Sequence, residues 1–130
     1  MIYLLDASIC LAAIKLEPAA VHRLDALPAG SVALPAIVVA ELAYGACKSR
    51  NSARSLAALA VLTAQLPTID FDLAAAHHYG HIRAVLRREG TPIGPNDFLI
   101  AATALALRAT LVTRNVREFA RVPGLQWITF

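Results

Sequence analysis

The chain has 130 residues, 12 Lys and Arg against 9 Asp and Glu for a net charge of +3, and is 58% hydrophobic. That length suits one domain, residues 1–130, which can bury a core without a covalent staple. Only 16% of residues are charged and the mean hydropathy is +0.58, which excludes a disordered or polyelectrolyte chain. No apolar run reaches the ~18–20 residues of a membrane span, because Lys15, Glu41 and Arg108 interrupt the longest ones. The start, Met1-Ile-Tyr-Leu-Leu-Asp6, lacks the basic region of a signal peptide, so a cytoplasmic protein is expected. Cys10 and Cys47 sit in apolar surroundings without metal-type spacing and are expected to be reduced core thiols.

In chain order, Ile2–Leu5 is a short apolar run that stops at Asp6 and predicts a strand. Helices are predicted from Ser8 to Ile14 and from Pro18 to just before Pro28. Ser31–Leu34 reads as a second strand closed by Pro35, followed by helices over Ile37–Lys48 and Ser52–Gln65. Pro67–Asp70 is a third strand, and a helix from Leu73 to Glu89 ends at Gly90 as a glycine cap. A helix over Asp97–Leu107, a strand at Thr110–Thr113 and a last strand at Gln126–Thr129 complete the chain. Short strands alternating with helices predict an α/β fold with a central parallel sheet of four to five strands. In such sheets ligands bind beyond the carboxyl ends of the strands. Asp6 ends the first strand there, and Thr113, Arg114 and Asn115 follow the fourth.

With only nine acids, each can be weighed. Glu17, Asp25, Asp70, Asp72 and Glu89 fall at helix ends or turns, where capping or solvation accounts for them. Asp6, Glu41, Asp97 and Glu118 are different. Asp6 ends a buried-looking strand, Glu41 interrupts the apolar run Ile37–Tyr44, Asp97 heads an apolar helix, and Glu118 follows a strand end. Each alone could be a cap or one half of a buried ion pair. Four carboxylates in one cleft need raised pKa values or a bound cation. Oxygen donors without a Cys/His set favour Mg²⁺ or Mn²⁺ over zinc.

Four segments carry a resemblance: Leu4-Leu-Asp6-Ala-Ser8, Val39-Ala-Glu41-Leu-Ala-Tyr-Gly45, Gly94-Pro-Asn-Asp97-Phe-Leu-Ile-Ala-Ala102 and Val112-Thr-Arg-Asn115-Val-Arg-Glu118-Phe119. In this order they resemble the acidic motifs of PIN-domain ribonucleases, most closely the VapC toxins of bacterial toxin–antitoxin modules. The tail Phe119–Gln126 also looks like that family's ending, so the resemblance spans essentially the whole chain. The family's first motif usually reads Asp-Thr-Asn, where this chain has Asp6-Ala7-Ser8. The resemblance implies a single PIN-like domain and a Mg²⁺- or Mn²⁺-dependent endoribonuclease that cuts structured RNA, with transfer RNA the leading substrate. It implies Asp6 and Asp97 as direct metal ligands, with Glu41 and Glu118 binding directly or through water. Ser8, Thr113 and Asn115 would be supporting donors. The expected products carry a 5′-phosphate and a 3′-hydroxyl. A cognate VapB-like antitoxin and a homodimer within the toxin–antitoxin complex are the implied partners. Apolar helices such as Ser55–Leu62 offer surface for one.

Arg83, Arg87 and Arg88 share one stretch of helix, and Arg114, Arg117 and Arg121 surround the fourth acid. These are candidates for RNA phosphates, with a solvated face or ion pairing of Arg114 or Arg117 to Glu118 as the plain alternative. His77, His78 and His81 cluster on one helix and read as a polar face or partner surface; a zinc site or a histidine acid–base pair is the rival, although no further ligand is evident. A receiver domain is disfavoured because it wants adjacent acids after the first strand and a lysine near the last strands, whereas the only lysines are Lys15 and Lys48. A haloacid-dehalogenase-type phosphatase is disfavoured because it wants an Asp at position 8, which is Ser. A PIN-like module that binds RNA without cutting it is the non-enzyme alternative. Setting the four acids apart leaves five acids against 12 basic residues, a basic shell around an acidic pocket.

Overall fold

A computed structural model describes residues 1–130. Tyr3–Leu5 (β1) leads through Ala7–Ile14 (α1) and Pro18–Asp25 (α2) to Val32–Pro35 (β2). Ala36–Cys47 (α3) and Ser52–Gln65 (α4) precede Thr68–Ile69 (β3). Leu73–Arg88 (α5) and Pro95–Leu107 (α6) precede Thr110–Val112 (β4), and Val116–Phe119 (α7) precedes Gln126–Ile128 (β5). The five strands form one sheet in the order β3-β2-β1-β4-β5, every pairing parallel.

This order sets the position of the site. The chain winds outward from β1 to β2 and β3, then returns to place β4 on the other side of β1 and β5 beyond it. The switch lies between β1 and β4, where the two carboxyl ends open a crevice. Leu4 pairs with Leu111 and Leu5 with Val112, and all four side chains are buried. The ladder runs one bond past β1, with Asp6 N–H donating to the Val112 carbonyl at 2.9 Å. Buried apolar runs therefore fix the two strand ends, and the polar residues that follow them meet.

Helix α6 is buried along successive positions from Ile100 to Ala104, as expected of a helix enclosed on several sides. It begins at Pro95, two residues before the expected Asp97, because proline's fixed φ and missing N–H suit the first helical position. Asp72 caps α5, accepting from Ala75 N–H at 2.9 Å, and Gly90 follows that helix with φ +70°. The third strand shrinks to two residues, and Pro35 is the last residue of β2, where a missing N–H is tolerated. The single turn α7 carries Glu118 and has no counterpart among the predicted elements. Cys10 is buried as expected, but Cys47 is exposed near the end of α3 and is not a core thiol. No helix is long and apolar enough to cross a membrane.

Candidate active site

A chain of hydrogen bonds joins three of the four selected acids. Asp6 caps α1, Oδ1 accepting from Ala7 N–H at 2.8 Å, while Oδ2 accepts from the Thr113 hydroxyl at 2.7 Å. Thr113 is fully buried, and its Oγ1 in turn accepts from Asn115 N–H at 2.9 Å. The Asn115 amide nitrogen donates to Asp97 Oδ2 at 3.2 Å and to Glu118 Oε2 at 2.9 Å. Two oxygens bonded to one nitrogen lie close together, so the residues just past β1 and β4, with α6 and α7, bring their side chains to one crevice. Thr113 and Asn115 thus each donate a side-chain hydrogen bond to the selected acids.

The electrostatics follow from this crowding. Asp97 is pushed up to about 8 by burial first, then by Glu118, with Asp6 and Glu41 adding like charge. Glu118 moves the opposite way, held low by its contact with Asp97 and by the Asn115 amide, with Gly94 and Arg121 adding to the effect. The pair therefore retains one proton, and it sits mainly on Asp97. Glu41 on α3 is raised by burial, an effect partly offset by Asn96 and reinforced by Asp6.

Two buried polar atoms, Ser8 Oγ and Glu41 Oε1, have no hydrogen-bond partner. Buried unpaired polar groups are costly and call for a ligand, an ion or water. Gly94 keeps space open beside the other two acids: a Cβ there would lie 3.2 Å from Asp97 Oδ2 and 3.9 Å from Glu118 Oε2. An oxygen-only donor set with spare lone pairs fits a hard divalent cation. No three His, Cys, Asp or Glu side chains close into a metal-binding group in this structure, the four acids included. Between Asp97 and Glu118 stands the Asn115 amide, whose bonds such an ion would replace.

A PIN domain family model matches residues 3–125. The tRNA(fMet)-specific endonuclease VapC of Shigella flexneri is 41% identical over 124 residues, covering 95% of this chain and 94% of the relative. The chain belongs to the VapC-type PIN-domain family. Solved structures agree with that assignment. VapBC2 from Rickettsia felis, bound to a promoter DNA fragment, superposes on this PIN-domain chain with a TM-score of 0.94 at 39% identity, covering 100% and 99% of the two chains. DNA-bound VapBC from Salmonella typhimurium gives 0.93 at 37%, covering 99% and 98%.

The basic residues of this VapC-type chain divide. Arg114 forms the only ion pair, its Nη2 2.6 Å from Glu17 Oε1. Its partner is thus not Glu118, and Glu17, though it stands at the N-cap position of α2, turns its carboxylate to Arg114 and makes no capping bond. The bond joins two segments 97 residues apart and tethers the loop that carries Asn115. Arg117 is exposed, and Arg121 donates to the Pro92 carbonyl at 2.9 Å. Arg83 and Arg87 line a cavity beside the first turn of α6, whereas Arg88 does not. His77, His78 and His81 are exposed on α5 and belong to no metal-binding group.

Apolar surface also borders the site. A cavity of about 320 Å³ between α1, α3 and α4 is lined by Leu11, Ile14, Leu42, Ala46 and Leu59, with Glu41 in its wall. A second, of about 330 Å³, shares Ile14 and Ala58 with it and reaches Leu16 and Val61. Leu16 and Val61 are 75% and 57% exposed, so the Ala- and Leu-rich α4 does leave apolar surface uncovered.

Proposed function

We propose that this chain is a divalent-metal-dependent endoribonuclease, the toxin of a toxin–antitoxin module, that cuts structured RNA. Transfer RNA is the leading substrate, given the 41% identical relative named for that activity. The observation that carries the proposal is the crevice of four carboxylates with no Lys or Arg paired to any of them, in which Asp97 is pushed up to about 8.

Asp6 and Asp97 are the side chains suited to hold Mg²⁺ or Mn²⁺ directly, with Glu41 and Glu118 reaching it directly or through water. A bound divalent cation supplies Lewis-acid stabilisation of phosphoryl charge and acidifies water near neutral pH. Thr113 fixes the plane of the Asp6 carboxylate, leaving the remaining lone pair of each oxygen free for a ligand. Asn115 holds Asp97 and Glu118 within reach of one another. Ser8 offers an unpaired hydroxyl to a phosphate oxygen or a water. Unpaired arginines around the crevice would hold the RNA backbone. The products would carry a 5′-phosphate and a 3′-hydroxyl, and the setting is cytoplasmic.

The antitoxin reading rests on the apolar cavities beside Glu41, which suit an apolar segment whose basic side chain reaches that carboxylate. Both superposed relatives come from VapBC complexes, which supports a VapB-like partner; a toxin homodimer within the complex belongs to the same reading. The test is expression of wild type and Asp97→Asn, with 5′ ends of cellular RNA mapped, and the purified proteins assayed with Mg²⁺ and with EDTA. Cleavage by wild type alone, abolished by EDTA, is expected. Cleavage that persists in EDTA, or leaves 2′,3′-cyclic phosphates, refutes the metal reading. RNA binding without cleavage would make the chain a silent binding module.

A further inference from the structure

The cavity beneath Arg83 and Arg87 has the chemistry of a nucleotide site. It measures about 510 Å³ and is lined by Arg83 and Arg87 of α5, Pro92 and Ile93 of the following loop, and Pro95 and Phe98 of α6. Ile93 and Phe98, 7% and 4% exposed, give it an apolar floor, while Pro92, Pro95 and both arginines are exposed at its rim. Pro95 and Phe98 share the first turn of α6 with Asp97, so the cavity adjoins the carboxylate crevice.

Its rim is held in place. Arg83 donates to the Tyr79 hydroxyl and lies over that ring at 5.7 Å from its centre. Tyr79 packs edge-on against Phe98 at 6.3 Å, and Arg121 secures the Pro92 carbonyl. Neither Arg83 nor Arg87 is in an ion pair, so both charges are free for an anion. Flat proline faces, an apolar floor and a planar guanidinium accept any base by stacking, without a hydrogen-bond code.

We propose that this cavity is a nucleotide subsite: it takes the base of an unpaired RNA residue next to the bond that is cut, with that residue's phosphate on Arg87. The position of the cut rests on the nuclease reading above; the subsite itself does not. It would select for RNA in which a base can leave its stack, as in a loop.

The experiment measures binding by fluorescence anisotropy, with Ca²⁺ in place of Mg²⁺. The probes are a single-stranded oligouridylate and an abasic ribose-phosphate strand of equal length. Wild type should prefer the base-bearing strand. In Arg83→Gln/Arg87→Gln, affinity for that strand should fall about tenfold and the preference vanish. The slope of log affinity against log salt should shrink by ~0.7 for the lost phosphate contact. Arg83→Lys, which keeps the charge, should lose most of the base preference and retain the salt slope. Arg108→Gln removes one charge at the far end of α6 and should bind as wild type does. Equal loss on both strands, or no loss on either, overturns the proposal. Base-selective binding by a protein that cuts no RNA in Mg²⁺ would refute the nuclease reading and leave the subsite standing.

Discussion

Thr113→Val removes one hydroxyl from a fully buried position at the centre of the site. The hydroxyl donates to Asp6 Oδ2 at 2.7 Å and accepts from Asn115 N–H at 2.9 Å, and Asp6 is only 7% exposed. Loss of a hydrogen bond to a buried carboxylate costs ~1.5–3 kcal/mol, and an amide left without its acceptor adds ~1 kcal/mol. The expected loss is ~2.5–4 kcal/mol, which for a chain of this length lowers Tm by about 10–15 °C. Valine keeps the shape, so packing loss is small. Thr113→Ser keeps the hydroxyl and gives up one methyl, at ~1 kcal/mol. Thermal melts of all three proteins in EDTA separate the two contributions. Valine melting level with serine would mean that the hydroxyl does not hold Asp6, and the hydrogen-bonded chain across the site would lose its central link.

Asp97→Asn should abolish Mg²⁺-dependent cleavage while leaving the EDTA-treated protein at least as stable as wild type at pH 9, measured by thermal melts, because it removes one of four crowded charges. The raised Asp97 pKa carries a definite sign: the folded protein holds a proton that the unfolded chain releases near 3.8. Stability without metal should therefore fall between about pH 4 and pH 8, by well under the ~1.4 kcal/mol per pH unit of an unscreened single site, because water screens this partly open group. A flat denaturation profile across that range would contradict the assignment. Gly94→Ala should keep the fold, since φ there is −59°, yet weaken the Mg²⁺-induced rise in Tm by placing a methyl 3.2 Å from Asp97 Oδ2. A thiol reagent should modify exposed Cys47 in the native protein and reach Cys10 only on unfolding, because burial and the nearby Asp6 charge raise the Cys10 thiol to about 12.

Local pattern carries some of these facts and not others. Asp6 stands out because an ionised side chain directly after a buried apolar strand has no local explanation, and Glu41 and Asp97 stand out for the same reason on apolar helices. The strands β1 and β4 are legible as short β-rich runs, and their parallel pairing follows from the helices between them. Four residues are too few for helical periodicity, so α7 is invisible in the sequence although it carries Glu118. The Glu17–Arg114 pair spans 97 residues, and no spacing rule links its ends. Cys47 misleads for a related reason: its neighbours on α3 are apolar, but the face on which it lies meets water. Asn115 could be nominated by its place after a strand, whereas its double donation to Asp97 and Glu118 depends on how α6 and α7 meet.

The distribution of charge ties these features together. A buried carboxylate is ordinarily paired, because an isolated one is expensive. This chain has 12 cationic Lys and Arg side chains, yet its only ion pair, Arg114–Glu17, lies on the surface and involves none of the four acids. Apart from hydrogen-bond donors and the distant influence of Arg121, the crevice is left to be neutralised from outside. A proton on Asp97, a divalent cation or a partner's basic side chain would each meet that demand, and on the proposed reading all three would compete for the same oxygens. The fold thus keeps the crevice poorly compensated, which costs stability in the isolated chain and leaves affinity for whatever cation arrives. On the proposed reading, a bound metal and a seated basic partner segment would exclude one another. Mg²⁺ should accordingly flatten the pH dependence of stability, and a basic segment that displaces Mg²⁺ should flatten it equally.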